Sequence, residues 1–325
     1  MQTAAIRVQK NGGPEVLELC ELTVSDPGPD EVRIEQRAIG VNFIDVYYRT
    51  GLYPALLPHG LGFEAAGVVE AVGAHVKFLK VGDRVAYPQS ALGAYAGVRV
   101  LPAATVLRIP DSVSFEQAAA LMLKGLTVQY LFRQTYRLQG DETILFHAAA
   151  GGVGLIACQW ARALGVKLIG TVSSDEKAAL AKRAGAWAVI DYTRENFVQR
   201  VGELTGHAKC PVVYDGVGAA TWDGSLDCVA PRGLMVSFGN ASGPVTGVNI
   251  GVLANKGSLY LTRPTLATHI TPRPRLEAAA EELFDLMTSG KMVAHVQSRY
   301  RLAQAAQAHS DLQSRKSAGS VILLP

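Results

Sequence analysis

The chain contains few cysteines and has no long uncharged apolar run. Its four cysteines include no CxxC pair, and Cys158 and Cys210 lie in apolar surroundings, where we expect buried free thiols. No stretch approaches the roughly 20 apolar residues of a membrane-spanning helix. The first ten residues, MQTAAIRVQK, have no apolar core of signal-peptide length. These absences together predict a protein of the reducing cytoplasm.

Strong charge of either sign is also missing. The 31 Lys and Arg nearly balance the 28 Asp and Glu, for a net charge of +3. No block of Lys and Arg occurs, so neither a nucleic-acid partner nor a membrane surface is indicated. Internal repeats and low-complexity tracts are absent as well. The 325 residues suffice for two domains, each with its own hydrophobic core.

The distribution of apolar residues changes along the chain. The first hundred residues contain short β-branched segments (EVRIEQRAIGVNFID, AAGVVEAVG, GDRVAYP and AGVRVLP) punctuated by Gly, Pro and Asp, which is typical of a compact antiparallel barrel or sandwich. Ser114 and Gln117 fit a capping box at the start of a long helix, FEQAAALMLKGLTVQYLFRQTYRL, which we interpret as the connection between two domains.

From Asp141 onward, strand and helix patterns alternate, which predicts an α/β domain with a parallel sheet and crossover helices. The strands are nearly continuous apolar runs, as buried parallel strands should be. The last segment, SAGSVILLP, reads as a strand, and we expect it to return to the first domain.

The segment AAAGGVG stands between the first strand and the first helix of the alternating region. Small residues allow a tight turn and a close approach of the backbone to a pyrophosphate, while the helix N-terminus offers free N–H groups. We therefore predict that residues 150–154 (Ala150, Gly151, Gly152, Val153 and Gly154) bind a dinucleotide. The alternative is a tight turn without a ligand.

The end of the next strand indicates which dinucleotide. NAD-binding units place an acid there for the ribose 2′-hydroxyl, but VKLIGTV ends in Val172 and continues with Ser173 and Ser174. The two serine hydroxyls and the ammonium of Lys177 suit a 2′-phosphate, which favours NADPH. Asp175 argues against this unless it faces outward at the helix start. Tyr192, after the third strand, is a further candidate beside the adenine ribose.

Several longer motifs are VNFIDVY, TGLYP, QSALGAY, LKGLTV, HAAAGGVGLIACQWA, VYDGVG and RGLMVSFGN. With GLGFEAAGVVEAVG and GDRVAY, they make nearly the whole chain resemble the medium-chain dehydrogenase/reductase superfamily, and within it the zinc-free, zeta-crystallin-like NADPH:quinone oxidoreductases. The resemblance implies a GroES-like catalytic domain of residues 1–125 and 265–325, and a Rossmann domain of residues 126–264. It also implies a site in the cleft between the domains, and a homodimer in which the Rossmann sheets pair edge to edge.

Zinc-dependent members of this superfamily hold their metal with a Cys in a CGTD-like segment and a His in a GHE segment. Here the first segment contains Asn42 and Asp45, and the second is Gly62-Phe63-Glu64, so both ligands are missing. Zinc needs three or four N, S or O ligands. None of the seven histidines stands at ligand spacing from another histidine. We therefore predict a site without metal.

The resemblance implies roles for further residues. Asn42 would face the nicotinamide or the substrate, and Asp45 lies in the same segment. Tyr47 and Tyr53 would line the quinone pocket, unless they serve core or interface packing. The remaining candidates for cofactor contact are Thr127, Val217, Phe238, Gly239, Asn240, Arg263 and Arg315. The Thr127 hydroxyl could alternatively bond to the backbone of its own helix. The alternative for the two arginines is that they are ordinary exposed surface residues.

The leading functional prediction is reduction of quinones by NADPH without metal, with the electrons passing as a hydride or in single steps. Quinones accept electrons readily, and no general acid or base stands out in the sequence, so we expect solvent to deliver the proton. Reduction of the C=C bond of an enal or enone is the alternative. A third possibility is binding of AU-rich RNA, as in some zeta-crystallin-like proteins, but the sequence shows no clustered basic face.

Overall fold

The computed structural model describes residues 1–314 and 318–325. Their internal contacts define two compact units, Met1–Leu126 with Ile270–Pro325, and Thr127–His269. Both divisions fall slightly C-terminal of the boundaries expected from the sequence. Each unit is described by itself below.

The secondary structure elements are numbered in chain order. The strands are β1 (Gln2–Val8), β2 (Leu17–Thr23), β3 (Glu31–Val41), β4 (His59–Gly60), β5 (Ala65–Val72), β6 (Arg84–Tyr87), β7 (Val98–Pro102), β8 (Leu107–Arg108), β9 (Thr143–Phe146), β10 (Lys167–Val172), β11 (Ala188–Asp191), β12 (Cys210–Asp215), β13 (Val229–Ser237), β14 (Tyr260–Thr262), β15 (Val296–Arg301) and β16 (Ser320–Leu324). The helices are α1 (Phe43–Thr50), α2 (Phe115–Tyr130), α3 (Gly152–Leu164), α4 (Asp175–Ala184), α5 (Phe197–Leu204), α6 (Trp222–Cys228), α7 (Gly251–Asn255), α8 (Leu266–Ile270), α9 (Arg273–Thr288) and α10 (Ala305–Gln313).

The first unit is built on β-strands. Its larger sheet has the order β15-β16-β3-β5-β6-β8, with β7 also paired to β3, and a smaller sheet has the order β2-β1-β4. The pairs are antiparallel except β15 with β16. The C-terminal strand β16 pairs with β3, Ile322 lying opposite Gly40. The expected return of the last strand to the first domain is therefore confirmed.

One of the β-branched segments of the sequence is only partly a strand. Within EVRIEQRAIGVNFID, β3 ends at Val41 and α1 begins at Phe43. The turn is fixed locally, because the Asp45 carboxylate accepts a hydrogen bond from the backbone N–H of Asn42 at 2.8 Å. An acid three residues into a helix satisfies a free N–H at the helix start. Asn42 and Asp45 consequently lie at a strand-to-helix junction.

The long connecting helix begins as predicted. The backbone N–H of Ser114 donates to Gln117 Oε1 at 2.8 Å, and Gln117 N–H donates to Ser114 Oγ at 3.2 Å, which completes the capping box. The helix α2 continues as a π-helical turn, Leu131–Thr135. It ends there because Tyr136 adopts an extended conformation, so the predicted helical continuation to Leu138 was wrong.

The second unit has a six-stranded sheet of order β11-β10-β9-β12-β13-β14. All of its pairs are parallel, and helices alternate with the strands along the chain. The order reverses between β9 and β12, and ligands bind at the carboxyl ends of the strands beside such a switch point. The predicted α/β class is confirmed. No helix in the described part of the chain is long and apolar enough to cross a membrane.

Candidate active site

The glycine loop lies at the switch point of the parallel sheet. The N-cap residue of helix α3 is Gly151, so no capping side chain bonds to the free N–H groups at the helix start. The first turn of α3 contains no acidic residue. A Cβ atom at Gly154 would come within 2.6 Å of the Ala149 backbone, so only glycine lets the helix approach the loop this closely. Residues Gly151, Gly152 and Val153 remain partly exposed, whereas Ala150 and Gly154 are buried. Such a bare helix N-terminus beside a tight turn fits the phosphates of a dinucleotide.

The end of β10 carries hydroxyl and ammonium groups. Ser174 caps α4, its Oγ accepting the Lys177 N–H at 3.3 Å, and Lys177 Nζ lies 3.3 Å from Ser173 Oγ. Asp175, whose charge would repel a bound phosphate, forms a bidentate ion pair with Arg194. Both N–O distances are 2.9 Å. The guanidinium balances the Asp175 charge, so the repulsion of a nearby anion is reduced.

Tyr192 and Arg194 follow the neighbouring strand β11. Tyr192 donates its backbone N–H to Val172 O at 3.1 Å and leaves its side chain 46% exposed, so the ring is available at this edge of the sheet. Arg194 also lies 3.7 Å from Asp191. Hydrogen bonds from Thr193 hold the pKa of Asp191 below its ordinary value, with Arg194 a smaller contribution. Sequence reasoning missed Arg194, because its position depends on the pairing of β10 with β11.

The loops after β12 and β13 are held by one aspartate and one arginine. Asp215 accepts the backbone N–H groups of Val217 and Gly218 at 2.8 and 3.0 Å. Arg263 donates to Ser237 Oγ at 3.2 Å and to Gly239 O at 3.0 Å. With its amide oxygen turned toward Arg263, Asn240 accepts a further bond at 3.0 Å. The predicted contacts Val217, Phe238, Gly239 and Asn240 thus lie on two neighbouring loops, and Arg263 fixes one of them.

In the first unit, a buried cluster surrounds Asn42. The Asn42 side-chain amide donates to Glu64 Oε1 at 2.7 Å, and Lys124 Nζ lies 3.1 Å from the same oxygen. The other Glu64 oxygen accepts the Leu123 N–H at 2.6 Å. Asn42, Glu64 and Lys124 are 6%, 0% and 5% exposed. A buried carboxylate that is paired and fully hydrogen-bonded is held in one orientation, so Asn42 is also fixed.

A chain of buried hydrogen bonds runs from Asp45 to Arg49. The Tyr95 hydroxyl donates to Asp45 Oδ2 at 2.9 Å and lies 3.0 Å from His309 Nε2, while Arg49 Nη1 lies 2.9 Å from His309 Nδ1. Because arginine can only donate, His309 accepts at Nδ1 and carries its proton at Nε2. Burial, reinforced by Arg49, lowers the pKa of His309 to about 3.

Asp45 combines deep burial with an incomplete set of partners. Its Oδ1 has no hydrogen-bond partner in the described part of the chain, although Oδ2 has two. Burial raises the pKa of Asp45 to about 7, against the opposing effect of the hydrogen bonds from Asn42 and Tyr95. The side chain is therefore an acid that titrates near neutral pH beside Asn42.

The candidate quinone-pocket tyrosines belong to an aromatic cluster. The Tyr47 and Tyr53 rings lie 5.2 Å apart, and Tyr48 packs against both Tyr53, at 5.6 Å, and Phe63, at 5.2 Å. Tyr47 is buried, while Tyr53 is only partly buried. Edge-to-face packing of this kind fixes the rings and provides an apolar wall suited to another ring.

The two remaining candidates lie elsewhere. Thr127, the first residue of the second unit, is 8% exposed on α2. Arg315 lies outside the described residues. Among the residues that the structure describes, no group of three or more His, Cys, Asp or Glu side chains is arranged to hold a metal ion.

Sequence reasoning missed Glu64, Lys124, Tyr95 and His309. Glu64 and Lys124 each interrupt an apolar segment, GLGFEAAGVV and AAALMLKGLTV, and a lone charge in such a run is a usable signal. Tyr95 and His309 gave no comparable signal, because only the folded chain brings them together.

Comparison with known proteins agrees with this architecture. Residues 28–111 match the model of the alcohol dehydrogenase GroES-like domain, and residues 152–287 match that of the zinc-binding dehydrogenases. The chain is 62% identical over 315 residues to the quinone oxidoreductase of Pseudomonas aeruginosa, covering 97% of each chain. It is 40% identical over 332 residues to the 2-haloacrylate reductase of a Burkholderia species, covering 100% of this chain and 99% of the relative.

A solved structure gives the same result at the level of the fold. The Escherichia coli quinone oxidoreductase complexed with NADPH is 57% identical, with a TM-score of 0.98 over 99% of this chain and 100% of the other. A GroES-like domain and a Rossmann domain in one chain define the medium-chain dehydrogenase/reductase superfamily. Within that superfamily, the chain belongs to the quinone oxidoreductase family.

Proposed function

We propose that the protein is an enzyme that reduces quinones to hydroquinones with NADPH. The observation that carries the proposal is the Rossmann unit, whose bare helix N-terminus lies at the switch point of the sheet. At the end of β10, Ser173 and Lys177 stand where an NAD-specific unit has an acid. The similarity to a quinone oxidoreductase complexed with NADPH supports the same function.

Different residues would bind different parts of NADPH. The backbone N–H groups of residues 150–154 bind the pyrophosphate. The 2′-phosphate is bound by Ser173, Ser174 and Lys177. Tyr192 lies beside the adenine ribose. The contacts proposed for the rest of the cofactor are Asn42, Thr127, Val217, Phe238, Gly239, Asn240 and Arg263. NADPH supplies the two electrons when bound, while Tyr47 and Tyr53 orient the quinone ring.

A steady-state assay tests this function. The purified protein is assayed with NADPH or NADH against a panel of quinones and enones. We expect turnover of quinones and a clear preference for NADPH. Oxidation of NADPH by enones and by no quinone would contradict the proposal.

Reduction of an activated C=C bond is the second candidate. It is favoured by the similarity to the 2-haloacrylate reductase. The same panel, extended with 2-haloacrylates, decides between the two, since the ratio of kcat/KM values for quinone and alkene measures which substrate the site serves.

We further propose that the reaction needs no zinc. Asn42 and Phe63 occupy the positions where the zinc-dependent members carry their Cys and His ligands, and the carboxamide of Asn42 is bound to Glu64. Activity that is unchanged after prolonged incubation with a chelator is expected. Loss of activity, with recovery on addition of Zn²⁺, would show a metal requirement.

The proposed homodimer is supported by the edge strand of the parallel sheet. Strand β14 lies at one end of the strand order, and its Tyr260 and Leu261 are 64% and 39% exposed. An exposed apolar edge is a ready surface for pairing with a second copy. Sedimentation should give a dimer for the wild type and a monomer for Tyr260→Asp. The control Val81→Asp, at an exposed position of the other unit, should remain dimeric.

A cytoplasmic location is the last element of the proposal. It is supported by the four cysteines, which are all free thiols, three of them buried. Fractionation of the source cells with an antibody against the protein tests it, and recovery from any other compartment would contradict it.

A further inference from the structure

Lys124 places a positive charge in an apolar part of the first unit. It lies on α2 within the run AAALMLKGLTV, and its side chain is only 6% exposed. Burial of an ammonium is costly unless it is paired, and the observed pair, Lys124 with Glu64, offsets part of that cost. A hydrophobic residue at this position would pack without any such cost. The buried charge therefore needs an explanation other than stability.

Glu64 is fixed from several sides, so it holds Lys124 in one place. Its Oε2 accepts the Leu123 N–H, while its Oε1 accepts from both Asn42 and Lys124. Gly40 of β3 leaves room for the carboxylate, because a Cβ there would collide with the Glu64 side chain. The shared oxygen makes the Lys124 ammonium a neighbour of the Asn42 amide. Asn42 is the residue proposed above to face the nicotinamide or the substrate.

The ammonium has more donors than partners. Lysine carries three N–H donors, and its partner in the described part of the chain is Glu64 alone. The charge of Lys124 also acts on Asp45 electrostatically. Asp45 Oδ2, however, accepts its hydrogen bonds from Asn42 and Tyr95. Unused donors on a buried cation require an acceptor, which a substrate oxygen would supply.

We propose that Lys124 is the proton donor to the carbonyl oxygen of the substrate, held in position by Glu64. This inference rests on the proposed function. As the quinone takes up two electrons and one hydrogen from NADPH, as a hydride equivalent, both of its C=O double bonds become C–O single bonds. The transferred hydrogen ends on one oxygen, and Lys124 protonates the other. One N–H bond of Lys124 breaks and an O–H bond forms on that oxygen, leaving a neutral amine hydrogen-bonded to Glu64. Solvent returns the proton after the hydroquinone leaves, so one proton is consumed per turnover.

Three variants of Lys124 test this assignment. Lys124→Met keeps the length of the side chain without a proton, Lys124→Arg keeps the charge in a group that does not release a proton at neutral pH, and Lys124→Ala leaves space for an added amine. Lys80→Met, at an exposed position of the same unit, is the control. Thermal unfolding and NADPH affinity, measured by fluorescence titration, are recorded for each variant.

The expected result is a loss of about 100-fold or more in kcat for all three variants, the range of general acid catalysis. NADPH affinity should remain within about twofold of the wild type, since the adenosine and phosphate contacts lie in the other unit. Methylamine should raise the kcat of Lys124→Ala in proportion to its concentration. Guanidinium, a cation that does not release a proton, should not. Lys80→Met should behave as the wild type.

Several results would overturn the assignment. Full activity of Lys124→Arg, or equal rescue by guanidinium, would show that only the charge matters. Near-normal kcat in Lys124→Met would exclude any role in proton transfer. Failure of methylamine in a folded Lys124→Ala would do the same. If the wild type itself does not reduce quinones, the proposed function is wrong. If the wild type is active and the Lys124 variants are equally active, only the assignment of Lys124 is wrong.

Discussion

The Tyr95 hydroxyl donates a hydrogen bond to Asp45 Oδ2 at 2.9 Å. Both residues are buried, with Tyr95 1% exposed and Asp45 0% exposed. The other Asp45 oxygen has no partner among the described residues. Deprotonation of Asp45 therefore places a charge in a site that solvates only half of the carboxylate. This relationship makes the stability of the first unit depend on pH.

The first prediction concerns Asp45→Asn. The pKa of Asp45 is raised from 3.8 to about 7, so the folded chain binds a proton that the unfolded chain has lost. The stabilising contribution is complete below pH 3.8 and is lost as the pH rises to about 7. The carboxamide of the variant cannot titrate, so its free energy of unfolding should fall less over this range. Denaturant unfolding at several pH values measures it.

The slope against pH, not the absolute stability, decides this prediction, because the carboxamide also changes the hydrogen bonds. Asp285→Asn, at an exposed position of α9, is the control and should keep the wild-type slope. Identical slopes for Asp45→Asn and the wild type would show that folding does not raise the pKa of Asp45.

The second prediction concerns His309→Gln and has the opposite sign. His309 is neutral in the fold, with its pKa lowered from 6.5 to about 3, first by burial and then by Arg49. The unfolded chain gains a proton below pH 6.5, so the contribution of His309 to stability is lost as the pH falls from 6.5 toward 3. The glutamine variant should lose less stability on acidification, measured by denaturant unfolding from about pH 7 to about pH 4.

His295→Gln, an exposed histidine of the same unit, provides the comparison for this experiment. If both histidine variants lose stability on acidification as the wild type does, the buried imidazole is not the group that titrates.

The sequence predicted the strand, glycine loop and helix around AAAGGVG correctly because the evidence for them is local. Strand, small residues and helix follow one another within AAAGGVG and its neighbours, and each residue's conformational preference agrees with the result. The same applies to the capping box of Ser114 and Gln117. The end of β3 also has a local cause, since Asp45 stabilises the start of a helix that an apolar, β-branched pattern does not reveal.

The buried polar cluster was not predictable in this way. Arg49 and His309 stand 260 positions apart in the chain, and Lys124 and Glu64 stand 60 apart. Their proximity results from the return of the C-terminal segment to the first unit and from the packing of α2. One sequence supplies no pairwise information about such contacts. The contacts that complete the candidate site therefore became visible only in the structure.

The third prediction concerns Gly154→Ala. The added Cβ would lie 2.6 Å from the Ala149 backbone, which cannot move without distorting the glycine loop. We expect a loss of about 1–3 kcal/mol in stability, as for other overpacked positions, together with weaker NADPH binding. Thermal unfolding and fluorescence titration measure the two effects.

Gly140→Ala is the matched control, since the nearest atom to its added Cβ is Leu164 O at 3.7 Å, an ordinary contact. It should change stability by about 0.5 kcal/mol or less. Equal behaviour of the two alanine variants would contradict the close packing of helix and loop.

The fourth prediction concerns cofactor preference. Lys177→Ala removes the ammonium that lies beside Ser173 at the end of β10. A charge-assisted hydrogen bond to the 2′-phosphate contributes about 1.5–3 kcal/mol, so the Kd for NADPH should rise roughly 10- to 100-fold. NADH lacks that phosphate, and its Kd should not change. Titration of protein fluorescence with each nucleotide, at one fixed salt concentration, measures both constants.

Lys182→Ala, at an exposed position of the same helix, separates a specific contact from a general loss of positive charge. It should leave the NADPH Kd nearly unchanged, because a surface charge away from the ligand is screened by salt. An equal effect of both substitutions would mean that only the net charge of α4 matters. Unchanged affinity of Lys177→Ala for both nucleotides would show that Lys177 does not reach the phosphate. The preference for NADPH would then depend on Ser173, Arg194 or Arg315, each of which can be replaced in the same titration.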